Sequence, residues 1–310
     1  MDTPDSRPLR AAAFMLLASS LIAASTLFAK AAGTATWLAS GGPELHFLQV
    51  SHARFLFAFL VIAGLSASLR LRLRGVHWPL HVGRTLCGWA GVSLMFGAVA
   101  LIPLPDATAL SFLNPVFAMI FAVLLLHERV GRWRWLAAAI AFGGAMILLR
   151  PGAEGLQIGA VFALAAAVIL GLEITLIKRL SGREPALQIL LVNNGLGLCV
   201  ATLAVALVWQ MPTAGQWPVL AGVGLAMVCA QACFIQAMKA ADASLSVPFT
   251  YTVLIFSTLY DFLVFNVFPD AVSWLGAAVI LAGAALLAWR EAKAARAAKA
   301  AGGPQDPSRP

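Results

Sequence analysis

The chain has 310 residues, of which 61% are hydrophobic and only 11% are charged, and its mean hydropathy is +0.89. Soluble globular domains hold about 45–50% apolar and about 25% charged residues, so this composition excludes that class and indicates a protein that crosses a membrane several times. The net charge of +8 does not indicate nucleic-acid binding, because the basic residues lie in short turns between apolar segments and not in one contiguous patch.

The hydrophobic pattern predicts an all-α integral membrane protein with ten transmembrane helices, since about 20 apolar residues cross the roughly 30 Å hydrocarbon core of a bilayer. The first segment is similar to a signal peptide, but the nine spans that follow favour an uncleaved helix. The predicted spans are 9–29, 48–69, 82–101, 107–126, 135–149, 157–177, 186–209, 217–238, 244–267 and 271–289.

The positions of Lys and Arg predict the orientation of these spans, because short positively charged loops stay in the cytoplasm. With the N-terminus inside, 18 of the 21 basic residues fall in inner segments, and only Lys30, Arg54 and Arg150 lie toward the outside. We therefore expect a multi-pass protein of the cell inner membrane with both termini in the cytoplasm. The tail 290–310 is expected to be basic and cytoplasmic.

An internal repeat divides the chain into two halves, 9–150 and 157–289. Asp106-Ala107-Thr108 recurs as Asp242-Ala243-Ser244, and each triplet opens an apolar helix that leads into a turn and a Gly-containing span. Each half holds five spans, an odd number, so the second half enters the membrane upside down. Inverted repeats are a recurrent basis of alternating-access transporters, which hold the substrate where the halves meet.

The most informative segment is the helical hairpin from Leu101 to Gly152. Its features are an Asn114-Pro115 break, Leu126-His127-Glu128-Arg129 at the end of the first helix, and Gly143-Gly144 in the second; the second half contributes Pro248-Phe249-Thr250-Tyr251-Thr252, Phe265-Asn266-Val267-Phe268-Pro269-Asp270, Gly276 and Gly283. In these features the chain resembles the EamA-type transporters of the drug/metabolite transporter superfamily. It departs from them at Val267, where the family commonly has a Glu.

The resemblance implies a secondary transporter of small polar metabolites and no enzymatic activity. The family includes exporters of amino acids and opine-like metallophores and importers of riboflavin and S-adenosylmethionine. We expect export of an amino-acid-like or opine-metallophore-like solute by alternating access. The alternative is uptake of a cofactor-like metabolite such as riboflavin or S-adenosylmethionine, and a rival from another class is an intramembrane enzyme or a non-transporting membrane partner.

The motifs of other functional classes are missing from the sequence. It contains no GxxxxGK[ST] loop for ATP phosphates, no HExxH and no GxSxG, so we expect neither a cofactor nor a metal. Cys229 and Cys233 are one helical turn apart, but no further ligands accompany them, and apolar packing is the simpler interpretation. His77, His81 and His127 lie in or near the cytoplasmic turns and are expected to be interfacial. The expected partners are a small polar metabolite, the bilayer and a coupling ion such as a proton.

Four ionisable residues inside the spans stand out, because a charge at the bilayer centre costs about 2.5–3.5 kcal/mol and tends to mark a polar pathway. Three of them, Lys30, Arg54 and Asp261, are candidate site residues. Lys30 and Arg54 lie toward the outer ends of their spans, where long side chains also reach the interface. Asp261 is too short for that, and Arg54, at a similar depth, is its predicted partner. Glu173 is five to six residues from Lys178 and Arg179, which favours a structural ion pair at the interface.

Two proline residues add uncharged candidates. Pro115 and Pro248 lack the N–H groups that would bond the carbonyls of Ser111 and Ser244, so each half contains a helix with an open acceptor. Asn114 and Tyr251 lie beside these breaks, and we predict that they line one central cavity. A kink that neighbouring helices or water repair is an equally simple interpretation.

Overall fold

The structure is a computed structural model that describes residues 6–34, 42–71, 73, 75–126, 131–150, 157–181, 184–240 and 249–300. These ranges contain eleven α-helices. They are α1 (Ser6–Gly33), α2 (Phe47–Ser68), α3 (Trp78–Leu101), α4 (Leu104–Ser111), α5 (Asn114–Leu126), α6 (Arg132–Leu149), α7 (Ile158–Ser181), α8 (Ala186–Val205), α9 (Gln216–Ala240), α10 (Thr252–Phe265) and α11 (Ala271–Ala300).

Nine segments of the described chain are long and apolar enough to span a membrane, with α4 and α5 together forming one of them. The tenth is α10, whose 14 residues are apolar but shorter. The ten predicted spans therefore all correspond to observed helices. Large apolar side chains such as Leu60, Leu203 and Leu263 are exposed on the outer surface of the bundle, as lipid-facing side chains should be.

The fourth span is two helices. α4 ends at Ser111 and α5 begins at Asn114, with a turn at Phe112 and Leu113 between them. The break predicted at Asn114-Pro115 is confirmed, and its cause is local: Pro115 cannot donate to a carbonyl in the preceding turn, so the helical ladder stops there. The corresponding segment before α10 includes Pro248, which lies outside the described residues.

Most helix bounds differ from the sequence-based prediction by a few residues, and two of these differences involve the basic segments. α6 begins at Arg132, three residues earlier than expected, because Gly131 in an extended conformation lets the helix start within the basic turn. α11 continues beyond the predicted span into the basic tail and ends at Ala300, as one 30-residue helix. The rest of the basic turn, 127–130, and the tail from 301 onward lie outside the described residues.

The two halves interleave around a pseudo-two-fold axis. α1 packs along α9, and its counterpart α7 packs along α3; α2 faces its own counterpart α8, and α6 faces α11. This arrangement is that of two inverted five-helix repeats, as the sequence predicts. Because each half packs mainly against the other half, neither half forms its core alone.

Glycine contacts show which positions of the two repeats are equivalent. A Cβ on Gly144 of α6 would lie 2.6 Å from the backbone nitrogen of Ile280 in α11, and a Cβ on Gly283 of α11 would lie 2.6 Å from that of Ala141 in α6. Gly83 faces Leu176 in the same way that Gly222 faces Phe28. The second correspondence shows which residues of α3 are equivalent to residues of α9, and which residues of α1 are equivalent to residues of α7.

The two ends of the bundle are not equally closed. At the end that carries Lys30, which we call the Lys30 end, α3 packs against both α1 and α2, and a Cβ on Gly33 would lie 3.2 Å from the Cβ of Ala100. At the opposite end, which we call the Glu184 end, the counterpart helix α9 makes no comparable packing with α7 or α8 over the described residues. The structure is therefore more closed at the Lys30 end.

Candidate functional site

A charged group lies inside the membrane span where α2, α3 and α7 approach one another. Arg84 of α3 and Glu173 of α7 form an ion pair with 3.6 Å between Nε and Oε1, and both side chains are mostly buried. Arg54 of α2 is within electrostatic reach of both residues. Gly88, one turn after Arg84, leaves room for the Glu173 carboxylate, since a Cβ there would lie 2.8 Å from Oε1. We call Arg54, Arg84 and Glu173 the central cluster.

Several buried polar atoms of the described residues have no hydrogen-bond partner, and two of them belong to this cluster. These two are the Nε atoms of Arg54 and Arg84; others include the Nε1 of Trp89 and the Oδ1 of Asn114. Buried polar groups normally have a hydrogen-bond partner, and a group without one in the protein commonly binds a ligand or water. Asn114 lies on another face of α7, because a Cβ on Gly171 would lie 3.0 Å from the Asn114 carbonyl and Gly171 points away from the side of α7 that carries Glu173.

The central cluster corrects the prediction for Glu173. This residue does form an ion pair, but its partner is Arg84 of α3, while Arg179 donates to the backbone carbonyl of Leu125. The side chain of Lys178 lies outside the described ones. The physical reason is helical periodicity: Glu173 faces α3 across the small residue Gly88, whereas Arg179 lies on another face of α7.

A second ion pair closes the Lys30 end. Lys30 Nζ donates to Asp261 Oδ1 over 2.5 Å, and the backbone N–H of Leu104 donates to Asp261 Oδ2 over 2.9 Å. Asp261 is wholly buried, and the Lys30 ammonium also lies 4.5 Å from the centre of the Phe265 ring. A single carboxylate therefore joins the end of α1 to the start of α4, whose first N–H groups have no partner within the helix.

The predicted pairing of Arg54 with Asp261 is wrong. Asp261 pairs with Lys30, and Arg54 lies toward Arg84 and Glu173. Equal depth in the membrane was not sufficient, because partners must also lie on neighbouring helices. α10 packs against α1 and α4, whereas α2 packs against α3, α8 and α9.

The structure brings the two predicted helix breaks together. The rings of Phe112 and Tyr251 meet edge to face with 5.3 Å between their centroids, and Phe112 is two residues from Asn114. Ser19 of α1 donates to the carbonyl of Phe249 over 3.1 Å, so a neighbouring helix supplies part of the hydrogen bonding beside the second break. The assignment of Asn114 and Tyr251 to one cavity stays a prediction.

Another polar network lies at the surface of the Lys30 end. Arg150 Nη2 donates to Asp270 Oδ1 over 2.5 Å, and Ser273 Oγ donates to Asp106 Oδ2 over 2.9 Å. The hydrogen bond from Arg150, followed by the one from the Ser273 N–H, holds the pKa of Asp270 at about 2. This network connects the end of α6 with the starts of α4 and α11.

The Glu184 end has its own buried carboxylate. Glu184 accepts from the backbone N–H of His77 over 2.8 Å, bonds His81 Nε2 over 2.9 Å and accepts from Gln188 over 2.7 Å. Burial alone would raise the pKa of Glu184, but these hydrogen bonds outweigh it and lower the pKa to about 2. His81 is completely buried, so its predicted interfacial position needs correction; His77 is half exposed and His127 lies outside the described residues.

Sequence reasoning missed Arg84 and Glu184. The clustering of Lys and Arg places Arg84 among the 18 basic residues of the predicted inner segments, yet it is buried within α3. Its position seven residues into a helix that opens with Trp78-Pro79 was the available signal. Among the described residues no group of three or more His, Cys, Asp or Glu side chains is arranged to hold a metal ion.

Comparison with known proteins now adds to this geometry. The model of the EamA-like transporter family matches residues 9–150 and again 157–289. A riboflavin transporter of Vibrio cholerae is 32% identical over 256 residues, which cover 80% of this chain and 84% of the relative. An S-adenosylmethionine uptake transporter of Rickettsia bellii is 26% identical over 82% of this chain and 87% of its own length.

Two further similarities extend the comparison. The pseudopaline exporter CntI of Pseudomonas aeruginosa is 28% identical over 221 residues, or 69% of this chain and 76% of the exporter. One solved crystal structure superposes with a TM-score of 0.59, 22% identity and coverage of 92% of this chain and 98% of the other, which shows a shared fold. With the family model matched in both repeats, this multi-pass membrane protein belongs to the EamA-like transporter family.

Proposed function

We propose that this protein is a secondary transporter that carries a small polar metabolite across the inner membrane by alternating access between its two inverted repeats. The observation that carries the proposal is the central cluster, in which buried polar groups without partners lie between helices of opposite repeats. Ionisable groups at membrane depth are costly and mark solute or ion pathways. Their position at the repeat interface is where inverted-repeat transporters hold their substrates.

Orientation follows from the basic residues. With Arg84 set aside as a buried residue, the remaining inner segments still hold nearly all Lys and Arg of the chain. The Glu184 end then faces the cytoplasm together with both termini, and the Lys30 end faces outward. A reporter that is active only in the cytoplasm should be active when it is fused after Arg290 or inserted between α5 and α6. Activity of either reporter outside the cytoplasm would contradict the ten-span topology.

The relatives support both candidate directions of transport. A riboflavin transporter and S-adenosylmethionine uptake transporters are among the relatives, and they favour uptake of a cofactor-like metabolite at least as well as CntI favours export of an opine-like solute. With the proposed orientation, the more closed Lys30 end and the looser Glu184 end correspond to a cytoplasm-facing state, which both directions require once per cycle. Direction is therefore a question for flux measurements.

The purified protein in sealed proteoliposomes tests the proposal. Labelled riboflavin, S-adenosylmethionine and amino acids are offered in counterflow, with empty liposomes and a Glu173→Gln variant beside the wild type. We expect exchange of at least one solute by the wild type and a loss of exchange in the variant. Vesicles with a proton gradient of either sign then give the direction. If the wild type exchanges none of these solutes above empty liposomes, the proposed transport of such metabolites is wrong.

A further inference from the structure

The charges of the central cluster do not balance. It contains two guanidinium groups, Arg54 and Arg84, and one carboxylate, Glu173, which is already paired with Arg84. Among the described residues Glu173 is the only carboxylate within electrostatic reach of Arg54. Arg54 is only 9% exposed. A guanidinium does not lose its proton in a protein, so one buried positive charge stays without a counter-charge.

An uncompensated buried charge is expensive, and a protein that keeps one usually has a partner for it. Arg54 Nε has no hydrogen-bond partner among the described residues, and the guanidinium carbon lies 4.8 Å from the centroid of the Phe55 ring. Arg84 also keeps a free Nε, because 3.6 Å from Glu173 is too long for a hydrogen bond. Both guanidinium groups therefore still have donors to offer.

Comparison of the two repeats shows that packing of these helices does not require the charged side chains of Arg84 and Glu173. The register fixed by Gly83 with Leu176 and Gly222 with Phe28 places Ser25 and Val223 where the other repeat has Glu173 and Arg84. There the same contact is a neutral hydrogen bond of 2.8 Å from Ser25 Oγ to the Val223 carbonyl. At this position the α1–α9 interface is therefore held by a neutral hydrogen bond. The equivalent α7–α3 interface, which lies beside Arg54, has an ion pair instead.

We propose that Arg54 and Arg84 bind a carboxylate of the transported solute, which makes the substrates of this protein carboxylate-bearing metabolites. The inference rests on the proposed transport function and assigns the substrate class of the same site. A solute carboxylate brings the cluster to charge neutrality, and the planar forks of guanidinium groups fit its two oxygens. Glu173 positions Arg84.

The test compares a carboxylate with its carboxamide. Proteoliposomes with the full chain are assayed for counterflow of S-adenosylmethionine, glutamate and an N-(carboxyalkyl) amino acid of the opine type, all of which carry carboxylates, and of riboflavin, which has none. Each transported acid is then competed by itself and by its carboxamide. The same pairs are tested for thermal stabilisation of the detergent-purified protein. The variants are Arg54→Gln, Arg54→Lys and, as a surface control, Arg132→Gln, since Arg132 is exposed at the start of α6.

We expect the carboxamide to compete about 10- to 100-fold more weakly than the acid in the wild type and in Arg132→Gln, because a hydrogen-bonded ionic contact is lost. Arg54→Gln should reduce this ratio to less than about threefold, and Arg54→Lys should restore part of it. Thermal stabilisation, which also reports that each variant is folded, should follow the same order.

Two results would contradict the inference. Transport of riboflavin that Arg54→Gln leaves unchanged would show that the site needs no carboxylate, and it would leave the transport function intact. Equal competition by acid and carboxamide would also show that the site needs no carboxylate, and it too would leave the transport function intact. A wild type that is folded in detergent but exchanges no solute in sealed vesicles would instead count against the transport function itself.

Discussion

At the scale of single residues, Lys30 and Asp261 form the best-defined polar contact inside the membrane span. The carboxylate is wholly buried, and it holds the end of α1 and the first backbone N–H of α4 at the same time. Removing one member of a buried ion pair leaves the other charge uncompensated, which commonly costs about 3–5 kcal/mol. The pair therefore provides both a stability test and a test of coupling.

The stability test uses Lys30→Met, Asp261→Asn and the double variant. We expect Lys30→Met to lower the thermal unfolding midpoint in detergent strongly, because Asp261 is then buried without its cation. The double variant should recover much of that loss, since it carries no buried charge. Arg150→Gln serves as the control, because its partner Asp270 is half exposed and surface ion pairs contribute little. Additive losses in the double variant would exclude coupling between Lys30 and Asp261.

The same pair should affect transport. Opening the Lys30 end is expected to separate Asp261 from Lys30 or from Leu104, because the carboxylate holds both. We expect Asp261→Asn to abolish transport in vesicles. Wild-type transport rates in this variant would assign Asp261 a structural role alone.

Glu184 gives a pH-dependent prediction outside the membrane spans. Its pKa is about 2 in the folded protein, against an ordinary value of 4.5. A carboxyl group with a depressed folded-state pKa stabilises the fold above its unfolded pKa, and this stabilisation is lost as the pH falls toward the folded value. Wild type should therefore be more stable than Glu184→Gln at pH 7, and the difference should shrink as the pH falls from about 4.5 toward about 2. Thermal unfolding across this range measures it, and a difference that is independent of pH would contradict it.

At the scale of helices, the crossing of α6 and α11 depends on close backbone approach. Gly144 and Gly283 sit at equivalent positions of this crossing, and a Cβ on either would meet backbone atoms of the partner helix at 2.6 Å. Backbone cannot move aside as a flexible side chain can, so any larger residue must separate the two helices. Small residues at such interfaces are how membrane helices gain packing energy.

The neighbouring glycine provides a matched control. Gly144→Ala should destabilise the protein by about 1–3 kcal/mol, the usual cost of overpacking. Gly143→Ala should be neutral or slightly stabilising, because a Cβ there meets nothing within 4 Å and alanine favours the helix. Thermal unfolding midpoints of the two variants are the measurement. Equal midpoints would show that the α6–α11 crossing tolerates displacement.

At the scale of the whole molecule, the unequal ends of the bundle are a consequence of two similar repeats in different conformations. α3 packs on α1 and α2 at the Lys30 end, while α9 makes no comparable packing with α7 and α8 over the described residues. Exchanging these conformations between the repeats would open the Lys30 end and close the Glu184 end. This is the rearrangement that alternating access requires.

Paired cysteines test this exchange in a variant that lacks the four native cysteines. Gly33→Cys with Ala100→Cys should form a disulfide that closes the Lys30 end and blocks transport, since the Cβ atoms would be about 3.2 Å apart. Reductant should restore flux. The same pair should cross-link less under conditions that open the Lys30 end. If it cross-links equally in every condition, the two-state exchange is wrong.

The sequence alone determined much of this protein. Apolar segments of membrane length, basic turns on one side and the recurring Asp-Ala-Thr/Ser triplet predicted ten spans and inverted repeats, because the bilayer leaves a chain few ways to satisfy its backbone. The Asn114-Pro115 break was predictable for a similar local reason. Lys30, Arg54 and Asp261 were recognised as unusual from their depth alone, since charge at membrane depth is costly wherever the helix lies.

Only the tertiary structure decided which of these charges meet. Depth along a helix follows from counting residues, but the identity of a neighbour depends on which helices pack together and on the face that each residue occupies. Asp261 pairs with Lys30 because α10 packs on α1, and Glu173 pairs with Arg84 because Gly88 of α3 leaves room for its carboxylate. These contacts join residues far apart in the chain, so no local pattern records them, and the physical reason is that close packing between helices selects partners in three dimensions.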